Sequence, residues 1–121
     1  MKNPASLQPG DIVKVSQQII EGQEIKSRPW LVISKNLLHQ NSIGCLCLAI
    51  TTNPTPSPYM VKIDSKHLKS GSLERINESR IIADKIVWTR HHDINGVVAK
   101  TTPEFYQQIK DRIRNDVLEI D

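Results

Sequence analysis

An Arg-Pro pair carries the sharpest chemical signal in this chain. It sits within Glu24-Ile25-Lys26-Ser27-Arg28-Pro29-Trp30-Leu31-Val32-Ile33-Ser34, where a polar loop gives way to an apolar run. Proline has no N–H for a ladder, so Pro29 suits the first residue of a strand or its lead-in. Arg28 is then held at the strand's mouth by a rigid neighbour. A guanidinium fixed there offers a planar fork of donors that matches phosphate oxygens. On residue type alone, an arginine in that setting is more often a solvated or ion-paired surface group.

The other reactive side chains point less clearly to chemistry. Cys45 and Cys47 lie two apart in an apolar run, share one strand face and read as small core or interface hydrophobes rather than metal ligands. His91-His92 falls in a polar turn, and His39 and His67 fall in loops. None has zinc spacing with a nearby carboxylate or cysteine, so all four read as surface histidines. Trp30 and Trp88 read as packing residues ahead of base-stacking platforms.

These residues are positioned by short strands. Pro9-Gly10 marks a turn before a first strand at Ile12-Val13-Lys14-Val15. Ser16 to Ser27 reads as a hairpin connection, and Trp30 to Ser34 as a buried strand. Lys35 to Ser42 reads as a loop with a helical turn around Leu37-Leu38. Cys45 to Thr51 is a continuous apolar strand ending in hydroxyls. Pro54, Pro56 and Pro58 force an extended loop outside any ladder. Tyr59 to Ile63 is a short strand, Asp64 to Ser72 a polar crossover, and Leu73 to Asn77 a lead-in. Arg80 to Ala83 and Lys85 to Trp88 form one strand interrupted by a bulge or bend. Asn95-Gly96 signals a turn before a brief strand at Val97 to Ala99. The last element is a helix. Either Thr101 with Glu104 as a capping box, or Thr102 ahead of Pro103, starts it. Phe105, Ile109, Ile113 and Val117 give it one apolar stripe. The pattern predicts a mainly β protein, a small barrel-like curled sheet capped by a C-terminal helix.

The 121 residues fit a single domain spanning 1–121. A composition of 38% hydrophobic and 4% aromatic residues makes the core aliphatic and modest, so stability is expected to be shared with an oligomeric partner. A net charge of +3 permits nucleic-acid binding without showing it. Met1 to Gly10 is polar and lacks the apolar stretch of a signal peptide. No apolar run approaches the roughly 18 residues of a membrane span. A cytoplasmic protein is the expectation.

Several of these segments, in order, resemble the MazF/PemK family of toxin endoribonucleases. Pro9-Gly10-Asp11-Ile12-Val13 is similar to the family's opening strand. Ser27-Arg28-Pro29 with Leu31-Val32-Ile33-Ser34 is similar to its most specific motif. Cys45-Leu46-Cys47-Leu48-Ala49-Ile50-Thr51-Thr52-Asn53 resembles the strand that ends near the active site. Ser79-Arg80-Ile81-Ile82-Ala83-Asp84-Lys85-Ile86 resembles the segment ending in an acidic residue and Gln. The resemblance runs from about Pro9 to about Ile120.

It implies an SH3-like barrel of the CcdB/MazF type, a homodimer, and cleavage of single-stranded RNA without metal or other cofactor. It also implies a cognate antitoxin whose tail occupies the substrate groove. Such cleavage uses the substrate's 2′-hydroxyl as nucleophile, with a base, a cation for the phosphorane and an acid for the leaving oxygen. The resemblance gives Arg28 the phosphate-facing role, as electrostatic stabiliser first because arginine is a poor proton donor. Thr51 matches the catalytic threonine. Asp84 is a general base or a carboxylate that orients Arg28 or a loop, the second reading being preferred. Ser27, Thr52, Asn53, Lys85 and Gln17 are candidates for substrate binding. Two departures stand out. Lys85 replaces the usual Gln, and Ile82 stands where one branch carries a catalytic Arg. The 16–27 connection also differs, so base preference does not transfer. A non-catalytic RNA- or antitoxin-binding module is one alternative. A gyrase-directed toxin of the same fold is another, and the intact Arg28-Pro29 argues against it.

Overall fold

The computed structural model of the chain describes residues 7–17, 26–35, 43–53 and 58–118. The strands are β1 (Asp11–Gln17), β2 (Lys26–Val32), β3 (Gly44–Thr51), β4 (Met60–Lys62), β5 (Leu68–Gly71), β6 (Arg80–Arg90) and β7 (Ile94–Thr101); helix α1 is Pro103–Arg112. The strands form one curled antiparallel sheet in the order β4-β6-β3-β2-β1-β7-β5. Its edges β4 and β5 do not pair with each other, so the barrel stays open.

Strand alternation sends apolar side chains to both faces. Ile12, Leu31, Leu48, Ile50 and Ile81 pack on the inner face with Phe105 and Ile109 of α1. Val13, Val15, Trp30, Val32, Cys45 and Cys47 pack on the outer face with Leu7 and Ile94. This two-sided burial explains why β3 reads as an unbroken apolar run rather than an alternating one.

Thr102 is the helix cap. Its Oγ1 accepts a hydrogen bond from the Phe105 N–H at 3.2 Å, and Pro103 occupies the first turn where no N–H is needed. Of the expected stripe, Phe105 and Ile109 are buried, while Ile113 and Val117 are half-buried in a wider π-helical turn, Ile113–Val117.

The sheet overrides several local signals. Asn95-Gly96 is not a turn but lies within β7, where Gly96 pairs with Lys14 beside register shifts. Its φ of 139° is a bulge conformation suited to glycine. The reversal occurs earlier, in a short 3₁₀ turn at His91–Asp93. The segment read as a crossover contains β5, which pairs with β7. Gly71 of β5 has φ 77°, and a Cβ there would meet the Val98 carbonyl and lie 2.5 Å from the Ala99 Cα. The lead-in at 73–77 is a turn running into a 3₁₀ turn at Ile76–Glu78. Leu37-Leu38, most of the β1–β2 connection and residues 54–57 lie outside the described residues.

Candidate active site

Arg28 and Pro29 lie inside β2 rather than at its mouth, because β2 begins at Lys26 to pair with Gln17. The Ile33 N–H donates to the Leu46 carbonyl at 2.9 Å, so odd-numbered residues of β2 turn their backbone toward β3. Pro29 is therefore the residue that would continue that ladder, and it has no N–H to do so. The recorded β2–β3 pairing ends at Trp30↔Ala49. Carried two residues further, the same register sets Arg28 level with Thr51 on the outer face. Pro29 thus ends the β2–β3 ladder just before these two residues.

On the far side of β3, Thr51 pairs directly with Arg80 of β6. Directly opposed residues share a face. Thr51 and Arg80 accordingly share a face, and alternation along β2 assigns Arg28 to the same outer face as Trp30 and Val32. Arg28 is exposed and Arg80 half-buried, and neither forms an ion pair among the described residues. The Thr51 Oγ1 accepts from the Asn53 N–H at 3.0 Å. That turn fixes the hydroxyl's position and leaves its proton to donate. Arg80 was read from sequence as the start of a buried strand and as part of the Ser79–Ile86 family segment, without a site role. Its signal was its place one residue before the buried Ile81, which assigns it to the face opposite the core.

Asp84 and Lys85 sit on a bend. Between Leu48↔Ile86 and Ile50↔Ile81, β3 advances two residues while β6 advances five. The surplus residues form a bulge in β6, where Ile82 pairs with Met60, Ala83 is buried, and Asp84 and Lys85 are both exposed. No hydrogen bond or ion pair joins Asp84 to Arg28. Ser27 and Thr52 face the opposite side of the sheet from Arg28 and Thr51, as alternation requires. The Arg75 Nη1 donates to the Thr52 Oγ1 at 3.5 Å. Asn53 is exposed at the strand end. Gln17 ends β1, and its side chain lies outside the described residues.

The remaining reactive residues are structural in their surroundings. The Cys45 and Cys47 sulfurs are 3.8 Å apart and fully buried. Their mutual hydrogen bond, with burial, pushes the Cys45 thiol above its ordinary range. Two of the histidines are not the surface residues expected. His91 is buried. His67 stacks on Phe105 at 4.2 Å, and its Nδ1 accepts from the Asp64 N–H at 2.9 Å. His92 is exposed, and His39 is outside the described residues. Trp30 is buried in the outer core, whereas Trp88 is 45% exposed and its indole lies against Gly44. Burial raises the Tyr106 phenol to about 12, and it donates to the Ile33 carbonyl at 3.2 Å.

An open, curled antiparallel barrel closed by a C-terminal helix is a fold shared with several toxin structures. An endoribonuclease from a Mycobacterial species, solved with its cognate antitoxin, superposes with a TM-score of 0.72 at 17% identity, covering 96% of this chain and 98% of that one. A chain of a MazE-MazF structure from Deinococcus radiodurans gives 0.74 at 14% identity, covering 95% and 97%. The Mycobacterium tuberculosis toxin MazF-mt6 gives 0.67 at 15% identity, covering 92% and 98%. No curated protein sequence matches the chain. Residues 8–116 match the model of one family, and the chain belongs to it: the PemK-like, MazF-like toxins of type II toxin-antitoxin systems.

Proposed function

We propose that this toxin is an endoribonuclease that cuts single-stranded RNA through the substrate's own 2′-hydroxyl. The pairing of Thr51 with Arg80, with Arg28 on the same outer face, is the observation that carries the reading. A phosphate centred over Thr51 receives a hydrogen bond from its hydroxyl and charge from a guanidinium on either side. The 2′-oxygen attacks phosphorus, the bond to the 5′-oxygen breaks, and the negative charge of the phosphorane falls on oxygens facing the two arginines. The 2′-proton leaves to a base and the 5′-oxygen takes a proton. The products are a 2′,3′-cyclic phosphate and a 5′-hydroxyl. Asp84, exposed on the β6 bend, is the candidate base, or else orients the substrate strand with Lys85. None of these steps calls on a metal.

The second arginine answers the departure at Ile82, since Arg80 brings a guanidinium to the same face from two residues upstream. By analogy with the antitoxin complexes of the similar structures, a cognate antitoxin is proposed to cover this face. A cytoplasmic homodimer is proposed as the working form. The exposed Ile86 and Trp88, on one face of β6, suit a self-association surface.

The test is cleavage of a long, weakly structured RNA in EDTA by the wild type and Arg28→Ala. Discrete fragments with cyclic-phosphate ends from the wild type, reduced by about a hundredfold or more in the variant, are expected. Equal cleavage by Arg28→Ala would overturn the site. No cleavage by folded wild type would turn the reading toward a binding module or a gyrase-directed toxin.

A further inference from the structure

We propose that the cleft on the inner side of the same strand ends is a subsite for one RNA base, next to the scissile phosphate, with Arg75 as the residue that reads it. The proposal rests on the ribonuclease reading above.

Alternation puts the neighbours of both site residues on this inner face. Ser27 and Pro29 flank Arg28, and Thr52 follows Thr51. With Leu73, Val98 and Arg75 they line a cleft of about 240 Å³. That is smaller than the roughly 300–1,000 Å³ of sites for drug-sized ligands and suits a single base. Pro29, Leu73 and Val98 supply apolar surface for a ring. The hydroxyls of Ser27 and Thr52 and the guanidinium of Arg75 supply polar groups for its edge.

Arg75 is positioned in advance. Its Nε donates to the Glu78 Oε2 at 2.5 Å, and its Nη1 reaches the Thr52 Oγ1. Arg75 is 62% exposed, and an ion pair of that kind adds little stability. What the pair does is set the plane of the guanidinium at the cleft. Single-stranded RNA is read by stacking on such planes and by hydrogen bonds to unpaired base edges.

Charge separates a base from other occupants. Lys14 and Arg75 bring two cations to the cleft, while Glu74 lines it and Glu78 pairs with Arg75. Among the described residues the balance is close to neutral. It favours a flat, neutral, polar ligand over a bare phosphate or an acidic peptide. An RNA strand crossing the ends of β2 and β3 places its scissile phosphate on the outer face at Thr51 and the adjoining base on the inner face at Thr52.

The experiment sequences the 5′-hydroxyl ends released from a pool of RNAs randomised around the cut, for the wild type, Arg75→Ala and Lys14→Ala. Melting curves confirm that each variant is folded. The expected result is a base preference at one position beside the cut that weakens about tenfold or more in Arg75→Ala, with preferences elsewhere retained. An unchanged profile overturns the proposal. So does an even loss of rate with the profile intact, which makes Arg75 only a support for Thr52. A change in binding of an acidic peptide without a change in profile assigns the cleft to a protein partner and also overturns it. If the wild type cuts nothing, the ribonuclease reading fails separately. Titration with the four homopolymeric RNAs then decides the subsite, and equal loss of affinity for all four in Arg75→Ala overturns it.

Discussion

Removing Arg80 should slow RNA cleavage about thirtyfold. The figure follows from where the strands place it. Neighbouring strands lie about 4.8 Å apart, so the Arg80 backbone stands about that far from Thr51, with which it pairs. A phosphate over Thr51 is then about 5 Å to the side of Arg80, within reach of its guanidinium. Two unit charges at 4 Å interact by about 1 kcal/mol in water and about 4 kcal/mol at an effective dielectric constant of 20. Arg80 is half-buried, so about 2 kcal/mol is the working value, or roughly thirtyfold in kcat/KM. The assay is initial-rate cleavage of a fluorogenic RNA by the wild type, Arg28→Ala, Arg80→Ala and the double variant. The two losses should not add, because both arginines act on one phosphate. A parallel titration uses RNA carrying a 2′-deoxy residue at the cut. There the slope of log affinity against log salt should fall by about 0.7 in Arg80→Ala, the contribution of one phosphate contact on a single strand. A rate within twofold of the wild type together with an unchanged slope would refute the argument from register.

Other consequences concern the scaffold. Phe105→Ala should cost about 3–5 kcal/mol in denaturant unfolding, since it removes the largest fully buried side chain and its stack on His67. A loss under 1 kcal/mol would place the helix outside the core. Thr102→Ala should cost about 1 kcal/mol by removing the cap, whereas Thr101→Ala acts on a different contact, the hydrogen bond from its Oγ1 to the Gly10 carbonyl. For His67, burial lowers the pKa below the ordinary 6.5, and the bond from the Asp64 N–H needs an unprotonated Nδ1. The unfolded histidine therefore takes its proton first as pH falls. Its contribution is complete above about 6.5 and is lost as pH drops through that value toward the lower folded pKa. Denaturation midpoints measured between pH 7.5 and 5 should fall less steeply in His67→Gln than in the wild type. An equal slope would remove His67 as the cause.

Sequence reading reached the strands whose local and tertiary preferences agree. The apolar run of β3, the bend before Lys85, and the helix cap all carried their cause in adjacent residues. Arg28 was legible because a proline beside it narrows the possible backbone. The pairing of Thr51 with Arg80 was not legible, because register between β3 and β6 depends on how many residues bow out around Asp84, which no local signal counts. Asn95-Gly96 misled for the opposite reason. A dipeptide that favours turns was absorbed as a bulge once β7 had β1 to pair with, and the turn moved to His91–Asp93. The histidines misled because burial is a property of the assembled fold. His67 sits in a polar stretch of sequence yet lies flat on Phe105, from a helix far along the chain.

The pairing of β1 with β7 also sets an order of events. Asp11 at the start of β1 pairs with Lys100 near the end of β7, and the Thr101 N–H donates to the Gly10 carbonyl at 3.0 Å. β1 depends on β7, and so does β5, its other neighbour. Contacts between such distant residues form late and slowly, after the loop they close has been gathered. Translation delivers β2 and β3, with Arg28 and Thr51, well before it delivers β7. A growing chain thus carries these side chains for some time before β1, the neighbour of β2, has its second partner strand. The site residues of β2 and β3 are therefore synthesised well before the strand that completes the pairing of β1.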